Sequence, residues 1–259
     1  MNKTALITGA STGIGFEFAK LFAADGYNLV LIARDEQKLR EIAGSLPSKF
    51  NISVKIYPKD LSVTGDIEKL VRQIREDVGT IEVLVNNAGF GLSGAFVDTD
   101  LARELEMIQL NVVSLVIFTK LWAKEMAQRK GGKILNVAST AAFQPGPLMA
   151  IYYATKAFVL SFSEALAEEL KERGVTITAL CPGPTATQFS KRAELEKSRL
   201  FKGGIVPVLD AATVAKIGYD GLSKGHPVVI PGLINKIGVL SVRLTPRKLV
   251  AKIAKQLNK

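Results

Sequence analysis

The chain is poor in the residues that build covalent staples and metal cages. Its 259 residues include one cysteine, Cys181, and one histidine, His226. A lone cysteine excludes an intrachain disulfide and suits a reducing compartment. No cluster of His, Cys and carboxylates has metal-ligand spacing, so no metal is expected. No uninterrupted apolar run reaches about 18 residues, which argues against a transmembrane helix. Met1-Asn2-Lys3 runs straight into an apolar stretch and then glycines, with no small-residue cleavage site. No signal peptide and a cytoplasmic setting are therefore expected. Repeats and linkers rich in Pro, Gly or Ser are also missing.

What is present is the composition of a folded domain: 47% hydrophobic and 22% charged residues exclude disorder. The length fits one large α/β domain or two small ones, with a core that needs no staples. The formal charge of +10 is compatible with a nucleic-acid partner, a membrane surface, or nothing specific. Its position narrows these options. Residues 1–188 carry 20 basic and 20 acidic side chains, and residues 189–259 carry 14 and 4. The excess belongs to the last quarter of the chain.

Short runs that are apolar on both faces alternate with helical patterns. The strand candidates are Lys3–Thr8, Asn28–Ala33, Ser53–Pro58, Val83–Asn86, Lys133–Ala138, Thr176–Cys181 and Pro227–Ile230. Helical spacing falls near residues 14–26, 35–46, 64–78, 100–130, 151–173 and 210–223. This alternation predicts an α/β fold, a doubly wound parallel sheet of about seven strands with helices on both faces. One domain is expected over residues 1–232, followed by an extension over 233–259.

Thr8-Gly9-Ala10-Ser11-Thr12-Gly13-Ile14-Gly15 lies between the first strand and the first helix. Glycines there allow a tight turn and close approach of a pyrophosphate, and the helix N-terminus offers free N–H groups. A glycine-rich turn also occurs without any ligand, so the spacing alone is weak. The second strand ends Ala33-Arg34-Asp35. A carboxylate at that strand end binds the ribose hydroxyls of NAD; a guanidinium instead suits the 2′-phosphate of NADP. The alternative is a solvated Arg34 paired with Asp35 or Glu36. NADP(H) is preferred and NAD(H) kept second.

With the later strands in view, the chain resembles the short-chain dehydrogenase/reductase family over about residues 3–232. The glycine loop fits that family's Thr-Gly-x-x-x-Gly-x-Gly. Asp60, followed by Leu61, matches the residue that contacts the adenine amino group. Asn86-Asn87-Ala88-Gly89 matches the segment that steadies the sheet and lies along the cofactor. Asn111 matches the active-site asparagine, and Ser139, Tyr152 and Lys156 match the serine and the Tyr-x-x-x-Lys pair. Pro182-Gly183-Pro184-Thr185-Ala186-Thr187 matches the loop around the nicotinamide. The resemblance implies a Rossmann-type fold. It implies cofactor contacts at Gly9, Ser11, Thr12, Gly13, Ile14, Gly15, Arg34, Asp60, Leu61, Asn87, Ala88, Gly89, Tyr152, Lys156, Pro182, Gly183, Thr185 and Thr187. One departure weakens the NADP assignment. Many NADP-using relatives carry a second basic residue before the middle glycine, where this chain has Thr12, so the preference rests on Arg34, helped by Lys38.

The chemistry accounts for these residue types. Carbonyl reduction needs a hydride at carbon and a proton at oxygen. A free phenol has a pKa near 10, too high for efficient exchange near neutrality. Tyr152 and Lys156 are four apart and share a helix face. The ammonium, together with an oxidised nicotinamide, is expected to lower the phenol's pKa. Ser139 is expected to polarise the substrate oxygen. The resemblance implies that Lys156 holds the nicotinamide ribose and that Asn111 fixes a water leading from Lys156 to solvent. Tyr153 has Ala157 four residues on and is read as pocket wall or core. His226 reads as a turn residue and Cys181 as an inert buried thiol.

Phe90, Leu92, Ala141, Phe143, Gln144, Leu148, Met149, Pro184 and Phe189 are expected around the substrate. A lid is expected over about 189–208, with Leu195, Leu200 and Phe201 available to turn inward. These apolar residues suit a small hydrophobic ketone, aldehyde or alcohol, or else pack only on one another. The long helix and the one bearing Tyr152 resemble the pair that dimerises family members, so a homo-oligomer, dimer or tetramer, is expected. In the extension, Leu249, Val250, Ile253 and Leu257 recur among lysines after Thr245-Pro246, as in a basic amphipathic helix capped by Thr245. Such tails resemble those of a subgroup near hydroxysteroid and long-chain 3-ketoacyl reductases. Packing on the pocket mouth, peripheral contact with an anionic membrane, and a protein partner all remain open for it. Nucleic acid is not expected, since no aromatic-interleaved basic motif occurs. Two functions compete: an NADP(H)-dependent oxidoreductase, and a non-catalytic NADP(H)-sensing or scaffold protein of the same fold.

Overall fold

The computed structural model describes residues 3–188 and 207–259. Seven parallel strands form its sheet: β1 (Thr4–Thr8), β2 (Asn28–Ala33), β3 (Val54–Pro58), β4 (Val83–Asn86), β5 (Gly132–Val137), β6 (Val175–Leu180) and β7 (Val228–Val229). Their order is β3-β2-β1-β4-β5-β6-β7. β1 and β4 are neighbours on opposite sides of the reversal in strand order, where a crevice opens at the carboxyl edge. β1, all five residues buried, shows why the central runs are apolar on both faces, covered by helices above and below, whereas the edge strand β3 exposes Lys55 and Pro58.

One layer brings α1 (Gly13–Ala24), α2 (Glu36–Phe50) and α7 (Ala211–Ser223) against the sheet through Phe18, Phe22, Leu39 and Val214. The other brings α3 (Ile67–Val78) and a long helix through Ile74, Phe118, Trp122 and Met126. Burying each such aliphatic or phenyl side chain contributes about 1.5–3 kcal/mol. α2 starts where Asp35 caps it, its carboxylate accepting from the Lys38 N–H at 3.1 Å.

The long helix, α4 (Leu101–Ile108) continued by α5 (Leu115–Gln128), contains a π-helical turn over Gln109–Ser114. Over Leu101–Gln128 it is long and apolar enough to cross a membrane, contrary to the expectation from uninterrupted runs. Its Asn111, Phe118, Trp122 and Met126 are nonetheless buried inside the domain. Core packing accounts for part of the apolar stretch, of which 39% is buried.

After α6 (Ala150–Glu169), Thr185–Ala186 pairs in parallel with Leu209–Asp210. The lid assigned to 189–208 lies outside the described residues except at Pro207 and Val208. The extension forms two helices, α8 (Leu233–Leu244) and α9 (Arg247–Leu257). Thr245 does not cap α9; its hydroxyl donates back to the Ser241 carbonyl at 2.8 Å, leaving Pro246 at the start of α9.

Candidate active site

The carboxyl ends of six strands deliver the site, because each strand stops at a residue that turns into the crevice. After β1, Gly9 and Gly13 have φ of +65° and +58°, a backbone that favours glycine. Gly15 is constrained differently: a Cβ there would lie 2.4 Å from the Gly9 carbonyl oxygen and 2.5 Å from Asn87 Nδ2. The loop is pinned to the β4 turn. Asn87 Nδ2 donates to the Thr8 and Gly9 carbonyls at 3.0 and 3.1 Å, and the Asn87 and Ala88 N–H groups donate to Thr8 Oγ1. Beneath it, Asn86 Nδ2 donates to Thr119 Oγ1 and Asn136 Oδ1, and Asn136 donates to Ser163, tying β4 and β5 to two helices of one layer, the long helix and α6.

Arg34 follows β2 and does not pair with Asp35 or Glu36. Its Nη1 meets Asp60 at 3.4 Å and Glu106 at 3.7 Å, with half of the side chain exposed. Exposed pairs of this kind are weak, so a phosphate can compete for the guanidinium. Burial raises the Asp60 pKa, but hydrogen bonds from Ser62 and the Arg34 charge outweigh it and hold the carboxyl below its usual range. Lys38 pairs with Asp35 and borders a shallow recess with Ser11, Thr12 and Gly13.

Ser139 ends β5. Its Oγ accepts from the Ala141 N–H at 3.1 Å and donates to the Pro182 carbonyl at 3.4 Å, and it lies close enough to the Tyr152 phenol to lower that group's pKa. Tyr152 and Lys156 are both buried on α6, with Lys156 Nζ 5.8 Å from the Tyr152 ring centroid. The ammonium donates to the Val137 carbonyl at 2.8 Å. Burial therefore governs the phenol, and its pKa goes up, not down as expected from the lysine; the Ser139 hydrogen bond offsets this in part. Burial also brings Lys156 down to about 8. That places a proton-exchanging group close to neutral pH.

A single cavity collects these residues. Every expected cofactor and catalytic residue lines it except Gly15, which lies behind the loop, and Asn111. Asn111 sits in the π turn, where such turns often mark functional sites. Its carboxamide brackets Phe90, accepting from the Phe90 N–H at 3.1 Å and donating to its carbonyl at 2.9 Å, with a further bond to Thr155. Its side chain thus holds the wall in place.

Of the expected substrate residues, Phe90, Ala141, Gln144, Met149 and Pro184 line the cavity. Leu92 packs behind Phe90 and Phe143 faces another cluster, while Leu148 has a left-handed backbone at φ +70°. Phe189 lies outside the described residues. Tyr153 lines the cavity beside Tyr152, their rings edge to face at 6.1 Å. Sequence reading missed Leu110 and, from the far end of the chain, Leu257. Leu257 was visible only as one apolar position of a helix. α8 also reaches the site: Asn235 packs so closely on Gly183 that a Cβ there would lie 2.5 Å from its oxygen.

The family model for short chain dehydrogenases matches residues 3–198. A short-chain dehydrogenase from Sphingobium yanoikuyae, solved in complex with NADPH, is 33% identical, with 93% of this chain and 94% of that one covered and a TM-score of 0.83. The bulky-bulky ketone specific alcohol dehydrogenase from Comamonas testosteroni is 32% identical, with 93% of each chain covered and a TM-score of 0.78. The very-long-chain 3-oxoacyl-CoA reductase of Mus musculus is 31% identical over 263 residues, 99% of this chain and 81% of that protein. With the doubly wound sheet, the glycine loop and the Ser139-Tyr152-Lys156 group, these likenesses assign the chain to the short-chain dehydrogenase/reductase family of oxidoreductases.

Proposed function

We propose that the protein is an NADP(H)-dependent oxidoreductase interconverting a hydrophobic ketone or aldehyde and its alcohol, with Tyr152 as general acid and base. The observation that carries this is the continuity of one cavity. It runs from the glycine loop and Arg34, past Ser139, Tyr152 and Lys156, to an apolar wall of Phe90, Ala141, Met149 and Leu257. The dinucleotide fits the chain's own features. Gly9 and Gly15 leave no room for side chains where the loop turns, the α1 N-terminus faces the crevice, and Arg34 is an exposed guanidinium beside it. When bound, NADPH supplies the hydride for the carbonyl carbon.

The chain's residues handle the proton. Ser139 orients the substrate oxygen toward the phenol, and Tyr152 gives it the O–H proton, so the phenol becomes a phenolate as the alcohol forms. Lys156, with its pKa near neutrality, supports return of that proton and holds the nicotinamide ribose. Asn111 fixes the Phe90 wall. The retention of all four residues supports turnover over a non-catalytic sensor. A screen of apolar ketones, aldehydes and alcohols, read by NADPH absorbance, tests the proposal; a protein that binds NADPH yet turns over none of them fits the sensor instead.

Arg34 sets cofactor choice in this account. Charge-assisted bonds contribute about 1.5–3 kcal/mol, so Arg34→Ala is expected to cut the preference for NADPH over NADH about 10–100-fold. Titration of both nucleotides reads this, and tighter NADH binding by the unaltered protein rejects the assignment.

The assembly we propose is a homo-oligomer through the long helix and α6. Phe158, exposed on α6 and stacked on Phe162, supports such a contact, and sedimentation velocity checks it. Peripheral contact of the extension with anionic membranes is proposed as well. Leu233, Ile237, Leu240 and Leu244 form an exposed stripe on α8, opposite its buried Asn235 and Val239. Residues 233–259 carry seven basic and no acidic side chains. Flotation with anionic but not neutral liposomes at low salt is expected, and a protein that stays in the soluble fraction rejects it. We also propose a cytoplasmic location, which the single cysteine of the chain suits. Fractionation of expressing cells tests it.

A further inference from the structure

The end of the chain is built into the substrate side of the cavity. Asn258, one residue from the terminus, is 4% exposed. Its Oδ1 accepts from the Tyr153 hydroxyl at 3.1 Å and its Nδ2 donates to the Pro147 carbonyl at 2.9 Å. The residue before it, Leu257, lines the cavity.

Both partners of Asn258 adjoin the proposed proton donor. Tyr153 follows Tyr152 in α6, and its ring is packed so tightly on Gly146 that a Cβ there would lie 2.2 Å away. Pro147 precedes Leu148, which holds its left-handed backbone while its carbonyl accepts from the Gly94 N–H at 2.9 Å. The loop that enters α6 is thus tied to the last turn of α9.

The rest of α9 is thinly anchored. Val250 and Ala254 are buried, but Leu249 and Ile253 are about half exposed and its lysines face solvent. A helix held by so few buried contacts opens locally at low cost. Its end is tied down by the pair of Asn258 hydrogen bonds, in a place where a lost partner leaves a buried polar group unsatisfied.

We propose that α9 is a movable wall of the substrate pocket, with Asn258 as its latch on Tyr153 and Pro147 and Leu257 as a residue that limits substrate bulk. The wall closes on an apolar chain or ring lying between Leu257, Met149 and Phe90. Asn258 is a positioning residue, and Leu257 sets selectivity. The selectivity part rests on the proposed carbonyl reaction, whereas the latch does not.

Hydrogen–deuterium exchange across Arg247–Leu257 tests the latch in the full-length protein. Asn258→Ala is expected to speed exchange there at least about 10-fold, at the level of one or two lost buried hydrogen bonds. Tyr153→Phe is expected to give a smaller rise in the same segment. Asn258→Asp, which sets a carboxylate oxygen against the Pro147 carbonyl in a buried place, is expected to speed exchange at least as much as alanine. Unchanged exchange in Asn258→Ala overturns the latch, whether or not any ketone is reduced. For selectivity, Leu257→Ala is expected to raise kcat/KM for benzophenone relative to acetone at least about 5-fold, as one side chain's volume is worth in an apolar pocket, with NADPH affinity unchanged. An unchanged ratio overturns the role of Leu257.

Discussion

Tyr152→Phe is expected to lower kcat for ketone reduction 10²–10⁴-fold, the range that a positioned proton donor contributes, while NADPH affinity stays within about two-fold. The substitution removes one oxygen and keeps the ring, which packs with Phe90, Met107, Ala141 and Met149. Folding should therefore be preserved. Tyr153→Phe is the control, since it removes the neighbouring phenol and its bond to Asn258 but leaves the proposed donor in place. The direction of the Tyr152 pKa adds a pH signature. Burial raises it, so the phenol is protonated throughout the neutral range and reduction has its donor there. Alcohol oxidation needs the phenolate, so its rate is expected to climb as pH rises while reduction does not. A Tyr152→Phe protein that keeps its reductase rate, with a Tyr153→Phe protein that loses it, would reverse the assignment.

Gly15→Ala is expected to cost both fold and cofactor. The added Cβ meets the Gly9 carbonyl, which is backbone, and Asn87 Nδ2, which is bonded to the Thr8 and Gly9 carbonyls. Neither can move without parting the glycine loop from the β4 turn. Overpacking of this kind costs about 1–3 kcal/mol, so urea unfolding should show a loss of that size. NADPH affinity should fall by about 10-fold or more, because the loop that must approach the pyrophosphate is displaced. Gly44→Ala is the matching control. Gly44 lies within α2 with nothing near its Cβ position, and alanine there should stabilise by roughly 0.5–1 kcal/mol.

These two expectations rest on features that local sequence displays. β2 and β4 fall at the residues expected, Asn28–Ala33 and Val83–Asn86, because strands covered on both faces leave unbroken apolar runs. The glycine loop and the four-residue step from Tyr152 to Lys156 are equally local. What was hidden depends on contacts between distant residues. Arg34 pairs with Asp60 and Glu106, 26 and 72 positions away, and not with its sequence neighbours. The Tyr152 pKa turns on burial and on a lysine that points to Val137, neither of which a four-residue spacing reveals. The π turn at Gln109–Ser114 leaves the apolar pattern of one long helix intact, so the bonding of the Asn111 carboxamide to Phe90 is not legible in it. Leu257 and Asn258 are the extreme case. Periodicity marks α9 as amphipathic, but only folding brings its last turn to Pro147 and Tyr153, more than a hundred residues back along the chain.

Isotope transfer reports on hydride delivery at a site where Tyr152 supplies the proton. The protein would be incubated with an apolar ketone and NADPH carrying deuterium at the transferable position of the nicotinamide, and the product read by mass spectrometry. One deuterium is expected on the carbinol carbon of the alcohol, with label transfer nearly abolished by Tyr152→Phe. A protein that binds NADPH through Arg34 yet delivers no label to any ketone or aldehyde offered would contradict the proposed reaction.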